Sequence, residues 1–318
     1  MKQNISLKRS YFFVVLAVIG WGLSTTFVEL GLPYIQAQPF LTIRFIVATL
    51  IITPFIFATR KSKVIELFKS RWIYSIAIFE TVGLITQYIA QKTVTAGLSA
   101  LISMMFILIL PYLSYIFLSE QFKINHGLSI VLGFIGVFLI VSEGDISNLG
   151  SGDSIGIFIL LITAVAYAFY QLTTSKLTRE VNPSVDVLSL FYVVMVLISV
   201  LSFSTAMIFE PSGFFDIKPD AWIWILLLAI FSTIIAFTSY FEASKGIQAN
   251  TLSILLVSQA LVPFFVDIFL LQRDYTYWVF FGGFIVIIAM IIVGMTPSRP
   301  VLMDPNRKKL SPNLTIDD

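Results

Sequence analysis

Ten apolar segments, each long enough to cross a lipid bilayer, follow one another along the chain with short links between them. A bilayer core about 30 Å thick needs roughly 20 helical residues per crossing, because backbone polar groups must be satisfied within the segment. Numbered as spans 1 to 10, the segments cover residues 11–30, 39–59, 72–93, 95–118, 126–142, 154–175, 185–209, 221–244, 247–271 and 277–295. The sequence therefore predicts an all-α, multi-pass membrane protein.

Composition agrees with this class and excludes several others. Charged residues make up 12% of the chain, about half the share of soluble domains. The absence of cysteine excludes disulfides and thiolate metal sites, and we expect no cofactor. A net charge of +2 gives no reason to expect a nucleic-acid partner. We expect residues 1–10 to be a cytoplasmic N-terminus and residues 296–318, which contain four of the twelve prolines, to be a disordered cytoplasmic tail.

Lysine and arginine predict the orientation. With the N-terminus inside, sixteen of these residues fall on the cytoplasmic side, whereas the outer links hold only Lys92, Lys218 and Arg273. Positive charge concentrates on the cytoplasmic side of membrane proteins. The pattern predicts that both termini are cytoplasmic, in the plasma (cell inner) membrane, and that the 1–2, 3–4, 5–6, 7–8 and 9–10 links form the outer face.

The two halves of the chain, residues 11–142 and 154–295, resemble each other at an offset near 152 residues. The segment LPYLSYIFL at 110–118 aligns with VPFFVDIFL at 262–270, which places Pro111 opposite Pro263. Each half contains five spans, an odd number, so the second half must cross the membrane in the opposite sense. Inverted repeats are typical of secondary transporters that bind substrate between the halves. We therefore predict two inverted five-helix repeats around a central cavity.

Span 3 carries polar side chains on one face of an otherwise apolar segment. At about 100° per residue, Glu80, Gln87 and Gln91 fall within roughly 40° of one another around the helix. A charged side chain at mid-bilayer costs on the order of 3 kcal/mol, so it rarely faces lipid. The stripe predicts a protein-lined solute pathway. Glu80 is either a carboxylate that exchanges protons or binds a substrate amine, or a structural group bonded to a neighbouring helix.

Three further charged residues lie near the predicted outer ends of their spans: Glu29 in span 1, Arg44 in span 2 and Asp267 in span 9. An arginine fork pairs preferentially with carboxylates. We therefore expect Arg44 to pair with these acids. Such a pair is either a structural link between helices or an outer gate or anchor for an anionic substrate.

Aromatic and amide side chains complete the candidate site. Tyrosine and tryptophan offer flat apolar faces with polar tips, and glutamine offers both a donor and an acceptor. Each could equally serve packing alone, since 15% of the chain is aromatic. The predicted substrate-binding residues are Trp21, Glu80, Gln87, Tyr88, Gln91, Tyr167, Tyr240 and Gln259. The predicted coupling or gating residues are Glu80, Arg44, Glu29 and Asp267.

The order of short motifs over the ten spans resembles the drug/metabolite transporter superfamily in its form with two EamA domains. The motifs in the first half are Trp21-Gly22, Arg44-Phe45, Lys92, Ala96, Gly97, Pro111, Glu120, Gly133, Gly136 and Val137. Those in the second half are Ala164, Tyr167, Ala168, Lys176, Leu177, Lys245, Ala249, Pro263 and Gly282. Glu29 stands where the family often has lysine, so no role of that lysine carries over. The resemblance implies export or exchange of small metabolites or drugs through a central cavity. We expect the substrate to be a small metabolite, amino acid or drug, and the protein to be a monomer or homodimer.

Other classes fit the sequence less well. A serine protease needs a base within reach of its nucleophile, and the single histidine, His126, falls at the edge of a link. The chain has no HExxH, CxxC or GxxxxGK[ST] motif, so metal chemistry and ATP hydrolysis lack residues to support them. We therefore predict a secondary transporter and no enzyme, driven by a proton gradient or by downhill export. An uncoupled facilitator or a channel for a small solute is the alternative, ahead of a receptor.

Overall fold

Helices make up nearly all of the described chain and follow the order that the hydropathy pattern predicts. The computed structural model describes residues 7–117, 121–145, 152–182, 184–244 and 255–296. Within these residues nine helices are long and apolar enough to cross a membrane, and a tenth apolar helix, Leu255–Phe269, is shorter. The predicted disordered tail, apart from residue 296, and most of the predicted N-terminal segment lie outside the described residues, as do Glu120, Lys245 and Ala249.

The helix bounds agree with the predicted spans within a few residues at most ends. Spans 1, 2, 3 and 5 are the helices Leu7–Gly31, Ala37–Leu67, Arg71–Ala90 and Ile124–Ser142. Spans 6, 7 and 10 are Gly152–Lys176, Val187–Phe209 and Tyr277–Met295. Span 4 consists of Ala96–Ser103 and Phe106–Phe117. Span 8 consists of Ala221–Leu227, a π-helical segment Leu228–Ile235 and Ala236–Ser244.

Span 2 is longer than its apolar run predicts. The helix has 31 residues and continues to Leu67, whereas the apolar segment ends near residue 59. At 1.5 Å per residue it is about 46 Å long, more than a bilayer core of about 30 Å requires. Hydropathy marks where a helix leaves the hydrocarbon, and it does not mark where the helix ends. The last two turns, which carry Arg60, Lys61 and Lys63, therefore extend beyond the membrane core.

Spans 4 and 9 are both interrupted a few residues before a proline. Span 4 breaks at Met104 and Met105, ahead of Pro111. In span 9 a 3₁₀ turn, Ser258–Ala260, precedes the helix Leu261–Phe269, which contains Pro263. A proline removes one helical hydrogen bond and clashes with the carbonyl four residues before it. For Pro263 that carbonyl belongs to Gln259, within the 3₁₀ turn. The two breaks lie against each other, since the Gln259 side-chain nitrogen is 3.3 Å from the Met104 sulfur.

The most extensive helix contacts are consistent with the predicted internal repeat. Spans 5 and 10, spans 2 and 7, and spans 4 and 9 pack as pairs of equivalent helices. Span 3 packs on span 6 as span 8 packs on span 1, and span 4 packs on span 6 as span 9 packs on span 1. These contacts are preserved when each span is exchanged with its equivalent in the other half. Because each half holds five crossings, the fold is that of two inverted five-helix repeats.

Contacts between the links fall into two sets, as alternate crossings require. At one face the Lys218 N–H donates to the Tyr34 carbonyl over 3.1 Å, which joins the 7–8 link to the 1–2 link. At the other face the Arg60 Nε atom lies 3.1 Å from Asp186 Oδ2, which joins the end of span 2 to the start of span 7. The first set of contacts lies at the predicted outer face.

Spans 2 and 7 are joined by a carboxylate at each end. Asp186 accepts hydrogen bonds from the Ser189 N–H at 3.1 Å and from Lys63 Nζ at 3.2 Å, and Glu210 accepts from the Gln38 N–H at 2.8 Å. Both acids thus satisfy a free N–H at a helix start. Burial raises the pKa of Asp186, but the hydrogen bonds from Ser189 and Lys63 outweigh it and hold that pKa below its ordinary value.

Candidate functional site

Glu80 faces the interior of the helix bundle from span 3. Its side chain is half-buried and lies within electrostatic range of Arg44, Tyr167 and Tyr170, which belong to spans 2 and 6. Its Oε2 atom is buried and has no hydrogen-bond partner among the described residues. A buried carboxylate oxygen is costly when it is unpaired. Glu80 is therefore the polar group in this interior with the most to gain from binding a proton or a ligand.

Arg44 is held by hydroxyl groups. Its side chain is 4% exposed, its Nε donates to Thr233 Oγ1 over 3.0 Å, and its Nη1 donates to the Tyr88 hydroxyl over 3.0 Å. The guanidinium also lies over the Phe45 ring, 5.1 Å from its centre. Arg44 thus links span 2 to spans 3 and 8. It places a buried positive charge near the Glu80 carboxylate.

The predicted pairing of Arg44 with Glu29 and Asp267 is wrong. Both acids pair instead with Arg273, from the 9–10 link. The depth of a residue in the membrane can be counted along its helix, and it is similar for Arg44, Glu29 and Asp267. Position around the bundle differs, because span 2 packs on spans 3, 7 and 8 while spans 1 and 9 pack on span 4.

Tyr167 and Gln87 form one polar wall beside Glu80. The Tyr167 hydroxyl donates to Gln87 Oε1 over 2.6 Å, which ties span 6 to span 3. Gly83 makes this contact possible, because a Cβ atom at that position would lie 2.5 Å from the Tyr167 ring. The Tyr167 ring therefore packs directly against span 3 at Gly83, about one turn from Glu80. The predicted face of span 3 is thus covered by a span 6 tyrosine.

An aromatic wall faces this region from spans 1, 7 and 8. The Trp21 ring centre lies 5.3 Å from that of Tyr240 and 4.9 Å from that of Phe237. Phe237 stacks in turn on Phe191 with 4.5 Å between ring centres. Tyr240 lies within electrostatic range of Tyr170, so the aromatic wall adjoins the group around Glu80. The structure therefore places Trp21, Tyr240, Tyr167 and Glu80 around one interior region.

Gln91 and Gln259 occupy other positions. Gln91 is buried at the end of span 3, and its Nε2 donates to the Thr25 carbonyl of span 1 over 2.8 Å. Gln259 lies in the broken turn of span 9, beside Met104. In both residues the Oε1 atom is buried without a hydrogen-bond partner in the described part of the chain. Gln91 thus ties span 3 to span 1 within the first repeat, and Gln259 connects span 9 to span 4 across the two repeats.

The π-helical segment of span 8 occupies the position in the second repeat that is equivalent to the Glu80 region of span 3 in the first. Thr233, within this segment, accepts the hydrogen bond from Arg44 and donates to the Leu228 carbonyl over 3.0 Å. Its neighbour Ser232 is buried and aligns with Glu80 at the 152-residue offset. Single π-helical turns are frequent at functional sites. The widened turn brings the Thr233 hydroxyl to Arg44.

A second charged group lies at the predicted outer face, and we call Glu29, Asp267 and Arg273 the outer ion cluster. Arg273 Nη1 is 2.9 Å from Glu29 Oε2 and 3.1 Å from Asp267 Oδ1. The hydrogen bond and charge of Glu29 raise the pKa of the Arg273 guanidinium above its ordinary value. The Tyr275 hydroxyl donates to Asp267 Oδ2 over 2.6 Å. The gating residues predicted in spans 1 and 9 are therefore in contact through a residue of the 9–10 link.

Four residues of the interior around Glu80 and of the outer ion cluster and its surroundings were not predicted from the sequence: Thr233, Phe237, Arg273 and Tyr275. Thr233 and Phe237 read as ordinary members of an apolar span, although Phe237 lies three residues before Tyr240, on the same helical face. Arg273 and Tyr275 fall in a short link, and Arg273 is the only arginine assigned to an outer link. That isolated charge was the available signal. Among the described residues no three His, Cys, Asp or Glu side chains are grouped as a metal site requires.

The fold and the buried polar interior define a multi-pass membrane protein built from two repeats. Comparison with known proteins agrees: the chain matches the EamA-like transporter family over residues 8–142 and 154–295. It is 23% identical over 305 residues to an uncharacterized transporter of Archaeoglobus fulgidus, which covers 91% of this chain and 87% of that protein. A solved crystal structure, 14% identical, has a TM-score of 0.62 over 90% of this chain and 96% of its own, and shows likeness of fold. The chain belongs to the EamA-like transporter family, within the drug/metabolite transporter superfamily.

Proposed function

We propose that this protein is a secondary transporter that exchanges a small amine-bearing metabolite for protons by alternating access. Membership of the family supports transport in general. The observation that carries the finer proposal is the buried, unpartnered Oε2 atom of Glu80, beside tyrosine side chains of span 6. Buried polar groups in membrane spans mark substrate or ion pathways.

The balance of donors and acceptors favours an amine. In the interior around Glu80, the Glu80 Oε2 atom is buried and accepts no hydrogen bond from the described residues. Two nitrogens of the nearby Arg44 already donate to the Thr233 and Tyr88 hydroxyls. A ligand that brings N–H donors therefore complements this interior better than one that brings acceptors. The aromatic faces of Trp21 and Tyr240 would add cation–π attraction.

Exchange follows from the use of a single carboxylate. A charge in a membrane interior is costly when it makes no hydrogen bond. Arg44 lies near Glu80, but its hydrogen bonds go to Thr233 and Tyr88, so Glu80 is expected to hold either a proton or a cationic ligand. Binding of an ammonium group at Glu80 then displaces the proton, and binding of a proton releases the amine. Rocking of one repeat against the other would expose the site to each side in turn. Such a cycle fits export driven by an inward proton gradient.

The test is transport in proteoliposomes with phenethylamine as the probe and 3-phenylpropionate as the acidic comparison. We expect counterflow of phenethylamine, acceleration by an imposed proton gradient, and no transport of the acid. Glu80→Gln should abolish the response to the proton gradient, whereas Glu66→Gln, which changes an exposed carboxylate, should not. Gradient-driven transport that survives Glu80→Gln would overturn proton coupling. Flux without counterflow would favour the channel instead.

We also propose that both termini are cytoplasmic and that the protein is a multi-pass component of the plasma (cell inner) membrane, as a monomer or homodimer. The distribution of lysine and arginine between the two faces supports this orientation. Because the chain lacks cysteine, single cysteines in the links report sidedness directly. Labelling of Lys218→Cys from outside, and of Ser62→Cys only after permeabilisation, is the expected result.

A further inference from the structure

The outer ion cluster joins the two repeats at one face only. Glu29 comes from span 1, whereas Asp267 and Arg273 come from the end of span 9 and the 9–10 link. The 3–4 link takes part as well, since the Tyr275 hydroxyl is 2.8 Å from Thr95 Oγ1. Burial and the hydrogen bond to Asp267 raise the pKa of Tyr275, so its phenol remains a donor at physiological pH.

The same carboxylates hold the first turn of span 4. Glu29 Oε2 accepts from the Ala96 N–H at 2.7 Å, and Asp267 Oδ2 accepts from the Gly97 N–H at 2.9 Å. Free N–H groups at a helix start favour such negative partners. The approach requires glycine, because a Cβ atom at Gly97 would lie 2.8 Å from Asp267 Oδ2. Span 1, span 4, span 9 and the 9–10 link therefore meet at one set of polar contacts.

The two helical segments that meet here end at the breaks in spans 4 and 9. In span 4 the segment Ala96–Ser103 lies between the cluster and the break at Met104. In span 9 the segment Leu261–Phe269 lies between the 3₁₀ turn and the cluster. Each is a short half-helix with an interrupted backbone ladder at its inner end. Broken helices of this kind are the parts of transporters that line the binding site.

Another outer contact between the repeats provides a comparison. Lys92 Nζ lies 2.8 Å from Glu210 Oε1, which joins the end of span 3 to the end of span 7. Spans 2 and 7 are already fixed at both ends by Asp186 and Glu210. Spans 3 and 7, which the Lys92 pair joins, also pack on each other, and each is a continuous helix. The outer ion cluster belongs to helices that are interrupted midway.

We propose that the outer half-helices of spans 4 and 9 form the outer gate of the transporter, and that Arg273 and Tyr275 of the 9–10 link hold it closed. Release of Glu29 from Arg273 frees span 1 and the start of span 4, so that Ala96–Ser103 and Leu261–Phe269 separate above their breaks. Arg273 acts as a positioning residue, because it holds the acids that hold the helix ends. This inference rests on the alternating access proposed above and not on proton coupling or on the substrate class.

Accessibility of a single cysteine tests the gate without any substrate. Ser99, on the outer half-helix of span 4, is fully buried, and Ser99→Cys adds the only thiol to the chain. A membrane-impermeant thiol reagent, applied separately to each side of reconstituted vesicles, measures its exposure. We expect Arg273→Ala to accelerate labelling from the outside by about tenfold or more, as loss of charge-assisted bonds that favour one state predicts.

Two milder variants and one matched control accompany this measurement. Tyr275→Phe removes only the hydroxyl, and Glu29→Gln removes one charge at nearly constant shape, so both should raise labelling by less than Arg273→Ala. Lys92→Ala breaks a salt bridge at the same face and should leave the labelling rate unchanged. The melting temperature and the size-exclusion profile show whether each variant is folded. If Arg273→Ala is not folded, the labelling rates of Tyr275→Phe and Glu29→Gln test the gate.

Unchanged labelling in the folded Arg273, Tyr275 and Glu29 variants, or an equal increase in Lys92→Ala, would overturn the proposal that these residues hold an outer gate closed. Faster labelling only from the opposite side would overturn the assignment of this cluster to the outer gate. A protein that opens as expected but transports no amine would retain the gate and lose the proposed substrate class. A protein whose Glu80→Gln variant remains proton-coupled would likewise lose only the coupling residue.

Discussion

Substitution of Gly136 in span 5 tests how closely the two repeats approach. A Cβ atom at this position would lie 2.6 Å from the Gly282 carbonyl oxygen and 2.6 Å from Val286 Cγ2, both on span 10. Ordinary van der Waals contact begins near 3.4 Å, so spans 5 and 10 must separate by about 0.8 Å. The carbonyl belongs to a helix backbone and cannot rotate aside. Spans 5 and 10 form one of the most extensive helix contacts in the protein, so the strain falls on a main interface between the repeats.

The expected cost of Gly136→Ala combines two opposing effects. Overpacking of a tight interface costs about 1–3 kcal/mol, whereas replacing glycine by alanine within a helix contributes about 1 kcal/mol of stability. We expect a net loss of about 1–2 kcal/mol. Gly127→Ala, in the same helix, is the matched control, because its Cβ atom would meet only the Phe122 ring at 3.7 Å or more. That variant should be neutral or stabilised by up to about 1 kcal/mol.

Thermal unfolding in detergent measures the difference between the two alanine variants. At roughly 2–4 °C per kcal/mol, Gly136→Ala should melt several degrees below Gly127→Ala. Unfolding by SDS titration provides an independent measurement, and the Gly136→Ala variant should unfold at a lower SDS concentration than Gly127→Ala. Equal melting temperatures, or a lower value for Gly127→Ala, would show that span 10 does not approach span 5 as closely as described and would refute the argument from backbone contact.

Two further substitutions test buried and link electrostatics. Tyr88→Phe leaves one Arg44 nitrogen without its acceptor, so it should cost about 1–3 kcal/mol, more than Tyr192→Phe, which removes a bond between two neutral hydroxyls. The pKa of Asp186 is lowered in the folded protein. Its carboxylate therefore stabilises the fold at pH values above the ordinary pKa of 3.8, and this contribution is lost as the pH falls through the folded pKa. Asp186→Asn should therefore melt below the parent at pH 7, with the gap closing below about pH 4; a gap that widened in acid would contradict this sign.

The candidate site was predicted in part. The stripe of Glu80 and Gln87 follows from helical periodicity, and the structure places both beside Tyr167, as spans 3 and 6 pack together. The partners of Arg44 did not follow, because its neighbours on spans 3 and 8 are distant in sequence. The importance of Arg273 was also invisible, since a residue in a seven-residue link has no periodicity that indicates its direction.

The sequence by itself determined the number of spans, their alternating direction and the division into two repeats. These properties depend on the solvent around each residue, because lipid tolerates only apolar side chains and closed backbone hydrogen bonds. Only the tertiary structure decided that Arg44 bonds to Tyr88 and Thr233, that Tyr167 lies on Gly83, and that Arg273 joins Glu29 to Asp267. Hydropathy fixes the depth of a side chain along its helix, whereas its partners depend on which helices pack beside it and on how each is rotated.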